Sequence, residues 1–255
     1  MLDTIIRAKE QEVKELDLTQ LDQKTFEKRS FFAALQNPNR FLGLIAEVKK
    51  ASPSKGVIRE DFDPVDIAKK YERGKADCLS VLTDQKFFQG STAFLSEIKE
   101  KVKLPVLRKD FIIDKKQVYE SKWIGADAIL LIGEALPPKK LKELWDEAVS
   151  LELDVLVEVH SVETLERILD IFVPNILGVN NRDLTTFHTD IHHLETIQKY
   201  VPKDILLISE SGISTMQDLQ TVYEYGAKGV LVGESLMRKK DPEQGIYELF
   251  KESVK

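Results

Sequence analysis

Gly125-Ala126-Asp127-Ala128-Ile129-Leu130-Leu131-Ile132, residues 125–132, passes from a glycine turn straight into five apolar residues. The run is too short for a buried helix and shows no polar alternation. It reads as a strand covered on both faces, as in a parallel sheet. The turn before it suits a helix end that must fold back into a strand, with glycine supplying the freedom at the corner. The same unit recurs along the chain. Upstream lie Leu44-Ile45-Ala46-Glu47-Val48, Cys78 to Leu82 and Pro105-Val106-Leu107. Downstream lie Val155 to Val159, Ile176 to Val179, Ile205 to Ile208 and Gly229 to Val232, which makes eight candidate strands. Gly74-Lys75-Ala76-Asp77 and Gly226-Ala227-Lys228 repeat the glycine turn.

The segments between the strands carry helical spacing, as in 64–73, 139–151, 161–169 and 215–225. Asp63-Pro64 places a cap before a first-turn proline. Strand–helix units of about 20–35 residues predict a closed α/β architecture, a single (β/α)8 TIM barrel spanning residues 1–255. A doubly wound open sheet is the alternative, and the lack of edge-strand signals favours closure. Residues 1–43 form an N-terminal helical extension. Its apolar residues, Leu2, Ile5, Ile6, Val13 and Leu16 and then Phe26, Phe31, Phe32 and Leu35, predict a cap over one barrel end.

The 255 residues are 42% hydrophobic and 31% charged, which excludes a disordered or membrane chain. A net charge of −6 argues against a nucleic-acid surface, while leaving room for a local pocket for a small anion. The one cysteine, Cys78, sits in an apolar run, reads as a small buried hydrophobe and points to the cytoplasm. No apolar stretch has the length of a membrane helix, and Asp3, Glu10, Glu12 and Glu15 argue against a targeting segment. A monomer is expected, with a partner enzyme left open.

Barrel enzymes keep their chemistry at the C-terminal ends of the strands. Here those ends are polar: Glu47, Lys49 and Ser52 after strand 1, Lys109 after strand 3, Glu158 in strand 5, Asn180 and Arg182 after strand 6, Glu210 after strand 7. Glu47 and Glu158 lie among apolar neighbours, where an unpaired charge is costly. Each is either a functional carboxylate or half of a structural salt bridge. Ser211-Gly212 and Gly233-Glu234-Ser235 follow strands 7 and 8, where backbone N–H groups can cradle a phosphate. Lys49 and Lys109, with carboxylates nearby to keep them charged, suit acid catalysis better than imine formation. The histidines His160, His188, His192 and His193 lack metal-ligand spacing, with His192-His193 expected to cap or solvate a helix, and no dinucleotide or P-loop motif occurs. Neither a metal nor an organic cofactor is expected.

Taken together, Ile45-Ala46-Glu47-Val48-Lys49-Lys50-Ala51-Ser52-Pro53-Ser54-Lys55-Gly56 and Leu107-Arg108-Lys109-Asp110-Phe111-Ile112 resemble the first- and third-strand signatures of indole-3-glycerol-phosphate synthases. Leu82-Thr83-Asp84 with Phe87 to Ser91 resembles the second strand and its loop, and Leu156 to His160, Gly178 to Leu184, Ser209 to Ile213 and Gly233 to Met237 resemble the later ones. The resemblance implies a phosphorylated anthranilate-sugar substrate, 1-(2-carboxyphenylamino)-1-deoxyribulose 5-phosphate, which is cyclised, decarboxylated and dehydrated in tryptophan biosynthesis. It implies Lys109 as general acid and Glu158 as base or as partner in proton removal. It implies Glu47 and Lys49 as an acid/base and anion-binding pair, and Asn180 and Glu210 as groups that position hydroxyls or hold the lysines. Arg182 would bind an anionic group. Ser52, Ser211, Gly212, Gly233, Glu234 and Ser235 would line the phosphate and sugar pocket. Phe88 and Phe111 would either sandwich the anthranilate ring or serve as plain packing.

Overall fold

The computed structural model describes residues 1–21, 23–183 and 186–252. Eight parallel strands, Gly43–Val48 (β1), Cys78–Leu82 (β2), Val106–Lys109 (β3), Ala128–Ile132 (β4), Asp154–Val159 (β5), Ile176–Asn180 (β6), Leu206–Glu210 (β7) and Gly229–Val232 (β8), pair in chain order. β1 then pairs with β8, Gly43 against Gly229 and Ala46 against Val232, which closes the barrel. The closed barrel expected from the sequence is the one observed.

Parity organises the core. Ile45, Leu107, Leu130, Leu156, Ile208 and Leu231 point inward and form one buried cluster, while Leu44, Val106, Ile129, Val157 and Val230 point outward into a second, larger one beneath the helices. Both faces are therefore apolar, and this is why the strands read as continuous runs. β3, β6 and β7 extend further than their apolar runs. Lys109 stands opposite Leu82, and Asn180 opposite Glu210, within the ladder. Backbone hydrogen bonding does not stop where side-chain apolarity does.

The helices fall where the spacing puts them. Pro64–Arg73 is helical with Asp63 as its cap, and Pro138–Ser150, Val162–Leu169 and Met216–Glu224 lie within a residue of the expected bounds. Of the glycine turns, Gly125 and Gly226 take φ of 92° as expected, but at the first the left-handed residue is Lys75, with φ of 58°, not Gly74.

The extension does not cap one barrel end; its two parts serve opposite ends. The helix Phe31–Gln36 plugs the N-terminal end. Phe31 and Leu35 enter the inner cluster, and Cys78 beneath them is buried as a small hydrophobe. Aspartates that precede strands satisfy the backbone there. Asp77 accepts from Leu44 N and Asn39 N, each at 2.8 Å, Asp127 from Arg29 N at 2.8 Å, and Asp154 from Phe32 N at 3.0 Å. The first helix, Leu2–Glu15 (α1), lies at the other end. Its Lys9 is buried, with Nζ 2.8 Å from Asp84 and 2.9 Å from Asp110, just past the ends of β2 and β3. Burial raises the pKa of the Asp110 carboxyl, but Arg108 and Lys9 outweigh that and hold it at about 2.

Lys9→Met keeps the apolar stem and removes the cation from two buried carboxylates. It is expected to lower unfolding free energy by about 3–5 kcal/mol, measured by urea denaturation. Because the pKa of folded Asp110 lies below the ordinary 3.8, its contribution is present above that value and is lost as pH falls towards about 2.

Candidate active site

The same inward parity that packs the core also builds the site. On six of the strands the inward position two residues beyond an inward apolar side chain is polar or glycine: Ile45 leads to Glu47, Leu107 to Lys109, Leu156 to Glu158, Ile176 to Gly178 and Asn180, Ile208 to Glu210, and Leu231 to Gly233, while on β4 Leu130 leads to the apolar Ile132. These groups surround a cavity of about 730 Å³ at the C-terminal mouth, within the size range of small-molecule sites. Every residue singled out from the sequence lines it. Arg108, next to Lys109 in sequence, does not. It points outward and is held by Glu120 at 2.7 Å and Asp110 at 3.2 Å.

At the centre lies Lys109. Its Nζ is 2.8 Å from Glu158 Oε2 and 3.0 Å from Glu210 Oε2. Burial disfavours the ammonium, but Glu158, Glu210 and Glu47 outweigh it and raise the lysine above its ordinary range. The two carboxylates part company. Burial and the neighbouring Glu158 push Glu210 up to about 8, against the pull of Lys109. Glu158 is held at about 2, because Lys109 and His160 outweigh its burial. Asn180 Nδ2 donates to Glu158 Oε1 at 3.2 Å, and its own Oδ1 accepts from Arg182 N at 3.0 Å. Lys49 pairs with Glu47 on β1.

Two glycines make room for these carboxylates. A Cβ at Gly178 would overlap Glu210 Oε1, and one at Gly233 would overlap Glu47 Oε2. After β7, Ser211 and Gly212 are successive left-handed residues, with φ of 66° and 85°. After β8, Gly233 opens the short helix Glu234–Met237, and Ser235 Oγ donates to Ile213 O at 2.9 Å, tying the two loops together. Glu234 is a carboxylate on this rim and does not itself suit an anion. Instead it lies 3.0 Å from Arg238, 3.8 Å from Arg182 and 3.9 Å from Lys55, holding three cations beside the glycine loops.

Phe88 and Phe111 do not form a sandwich. Their centroids are 6.2 Å apart and the planes are inclined by 37°. A flat ring between them needs about 7 Å, twice the contact distance of carbon atoms. Side by side they make one wall, continued by Leu82, Leu130 and Ile132. Leu184, the last residue of the sixth-strand motif, lies outside the described residues. His192 begins the helix His193–Ile197, but its side chain does not cap it; its Nδ1 lies 2.7 Å from Tyr225 Oη.

Several residues were not singled out by sequence reasoning. Lys55 and Arg238 reach the cavity from outside the strands, and Met1, Leu2 and Ile5 reach it from α1. His160 and Glu134 continue the inward series of β5 and β4 by one step each, a signal that strand parity alone would have supplied.

Similarity to known proteins is concentrated in one family. The family model described as indole-3-glycerol phosphate synthase matches residues 2–249. Proteins named indole-3-glycerol phosphate synthase from Priestia megaterium and Bacillus velezensis are each 60% identical, over 99% of this chain and 98% and 100% of theirs. Among solved structures, 3-hexulose-6-phosphate synthase from Salmonella typhimurium superimposes with a TM-score of 0.66 at 16% identity, covering 82% of this chain and 97% of its own. Thiamine phosphate pyrophosphorylase from Pyrococcus furiosus does so with a TM-score of 0.58 at 18% identity, covering 82% and 94%. These two show the barrel fold alone.

Gly178→Ala is expected to displace the Glu210 carboxylate from Lys109 and to cost about 1–3 kcal/mol through overpacking. A crystal structure of the variant, with its unfolding midpoint, checks both. Glu210 unmoved in a fully stable variant would contradict this reading of the glycine.

Proposed function

The chain belongs to the indole-3-glycerol phosphate synthase family, and from that premise we propose that it converts 1-(2-carboxyphenylamino)-1-deoxyribulose 5-phosphate into indole-3-glycerol phosphate, carbon dioxide and water. It is a carboxy-lyase of tryptophan biosynthesis. No helix among the described residues is long and apolar enough to cross a membrane. The single buried thiol supports a cytoplasmic place of action.

The observation that carries the reading is the Lys109 ammonium, part-buried at the cavity and held between the buried Glu158 and Glu210. A cation held charged at the cavity floor by two carboxylates is a proton donor aimed at a developing alkoxide. The cavity is two-sided around it. The wall from β2 to β4, with Phe88, Phe111 and Ile132, is apolar and suits the aromatic ring. The loops after β7, β8 and β1, with Ser211, Gly212, Gly233, Ser235 and Ser52, suit the phosphate, and the cations that Glu234 holds face the same side.

Lys109 donates to the ketone oxygen as the ring carbon attacks. Carbon dioxide leaves, and its bonding pair restores the aromatic ring. Lys49, paired with Glu47, then protonates the departing hydroxyl, while Glu158 takes the proton from the methylene carbon. Asn180 holds Glu158, and Glu210 keeps Lys109 charged. Arg182 binds an anionic group of the substrate from the rim.

Indole fluorescence tests this directly. The protein is expected to generate it from the substrate, with inorganic phosphate competing. Lys109→Ala is expected to remain folded and to lose about 100-fold or more in kcat. Arginine does not restore turnover, because it does not surrender a proton near neutral pH. A folded Lys109→Ala protein with normal product formation would overturn the assignment.

A further inference from the structure

The net chemistry leaves one proton to be found. The substrate enters as a carboxylate and leaves as a neutral indole, carbon dioxide and water. Two protons go onto the ketone oxygen before it departs as water, and one comes off the methylene carbon. The site therefore takes up one proton from solvent per turnover. Lys109, Glu158, Glu47 and Lys49 pass protons among themselves, but they cannot complete the cycle without a supply.

His160 stands where that supply is needed. It follows β5 directly and lines the cavity with its side chain only about 10% exposed. One face of the ring is fixed: Nδ1 lies 3.0 Å from Glu134 Oε2, and the backbone N of His160 donates to Glu134 Oε1 at 2.8 Å. The other nitrogen, Nε2, is buried and has no hydrogen-bond partner. It lies 3.5 Å from Glu158 Oε1, on the opposite side of that carboxylate from Lys109. His160 also lines a second cavity, of about 780 Å³, shared with Glu134, Asn180 and Arg182.

We propose that His160 is the proton reservoir of the site, giving Nε2–H to Glu158 once per turnover, and that Glu134 is its positioning residue. Over one turnover Glu158 hands on two protons through Oε2, the one it took from the methylene carbon and the one from His160, and these restore both acids, Lys109 directly and Lys49 by way of Glu47. The imidazole, left with its proton on Nδ1 against Glu134, reloads at Nε2 from water. This inference rests on the reaction proposed above. Glu134 after β4 lies 3.0 Å from Nδ1 and Glu158 on β5 lies 3.5 Å from Nε2, and Glu210 on β7 adds its charge; Lys109 on β3 and Arg182 after β6 line the cavities that the ring borders, and His193 Nε2 lies 2.8 Å from His160 O. Burial disfavours the imidazolium, but Glu134, Glu158 and Glu210 outweigh it and raise His160 above its usual value. The donor is therefore lost as pH rises through that raised value.

The test is steady-state kinetics against pH on His160→Ala, His160→Asn and Glu134→Gln, followed by indole fluorescence. His160→Ala is expected to lose about tenfold or more in kcat with KM within about twofold, and added imidazole to restore part of it. His160→Asn keeps a polar side chain in the pocket but cannot carry the proton, so it stays slow and guards against a folding defect in the alanine variant. Glu134→Gln moves the alkaline limb of kcat to lower pH. Wild-type kcat and an unmoved alkaline limb in the Asn variant, or an unmoved limb in Glu134→Gln, would overturn the proposal. Imidazole NMR separates this from failure of the reaction itself. If the wild-type protein makes no indole, the function reading fails, yet the His160 titration still has to fall in Glu158→Gln. An unchanged titration there defeats the proton link independently.

Discussion

An ammonium held between two buried carboxylates sets the terms for the rest of the molecule. Lys109 is surrounded by low-dielectric barrel interior, and alone it would shed its proton. Glu158 and Glu210 prevent this, but they bring a second problem, since two carboxylates that close repel each other. The site resolves it by pushing the Glu210 pKa up while His160 and Lys109 hold Glu158 down. Space is as tightly constrained as charge. Gly178 and Gly233 are bare because Glu210 and Glu47 occupy the volume a methyl would need.

Such a mouth is electrostatically expensive, and the opposite end of the barrel offsets it. There Phe31 and Leu35 plug the interior, and Asp77, Asp127 and Asp154 satisfy backbone N–H groups of the extension and of the strands. The buried pair Lys99–Asp127, at 2.7 Å, belongs to this end as well. One period-two pattern thus yields an apolar floor, then a polar layer two residues higher on the same strands. The fold and the site are two readings of one alternation.

The barrel was legible because burial on both faces leaves continuous apolar runs, and because Asp63-Pro64 and the glycine corners punctuate them. The location of the site was legible for a related reason: Glu47 and Glu158 are charges set inside β-branched runs, where sequence alone exposes them as costly. What did not show was how side chains share space. Phe88 and Phe111 are near neighbours along the barrel rim, and only their centroid distance reveals a wall in place of a sandwich. The extension looked like one cap because its apolar residues carry no label for which end they meet; Lys9 on Asp84 and Asp110 decides it for α1. His160 was weighed only as a metal ligand, yet counting two residues beyond Glu158 would have turned it inward. Glu234 looked like part of an anion cradle from its place after β8, and its grip on Lys55, Arg182 and Arg238 is visible only in three dimensions.

The account stands on Lys109 being an acid and not a neutral amine. Nitrogen-15 NMR of its Nζ across a pH series reads that state directly in the folded, ligand-free protein. The account predicts an ammonium signal that persists beyond the ordinary lysine value of 10.5, held there by Glu158 and Glu210. A neutral amine signal near pH 7 would contradict it, and would turn the chemistry of the site from proton donation towards imine formation.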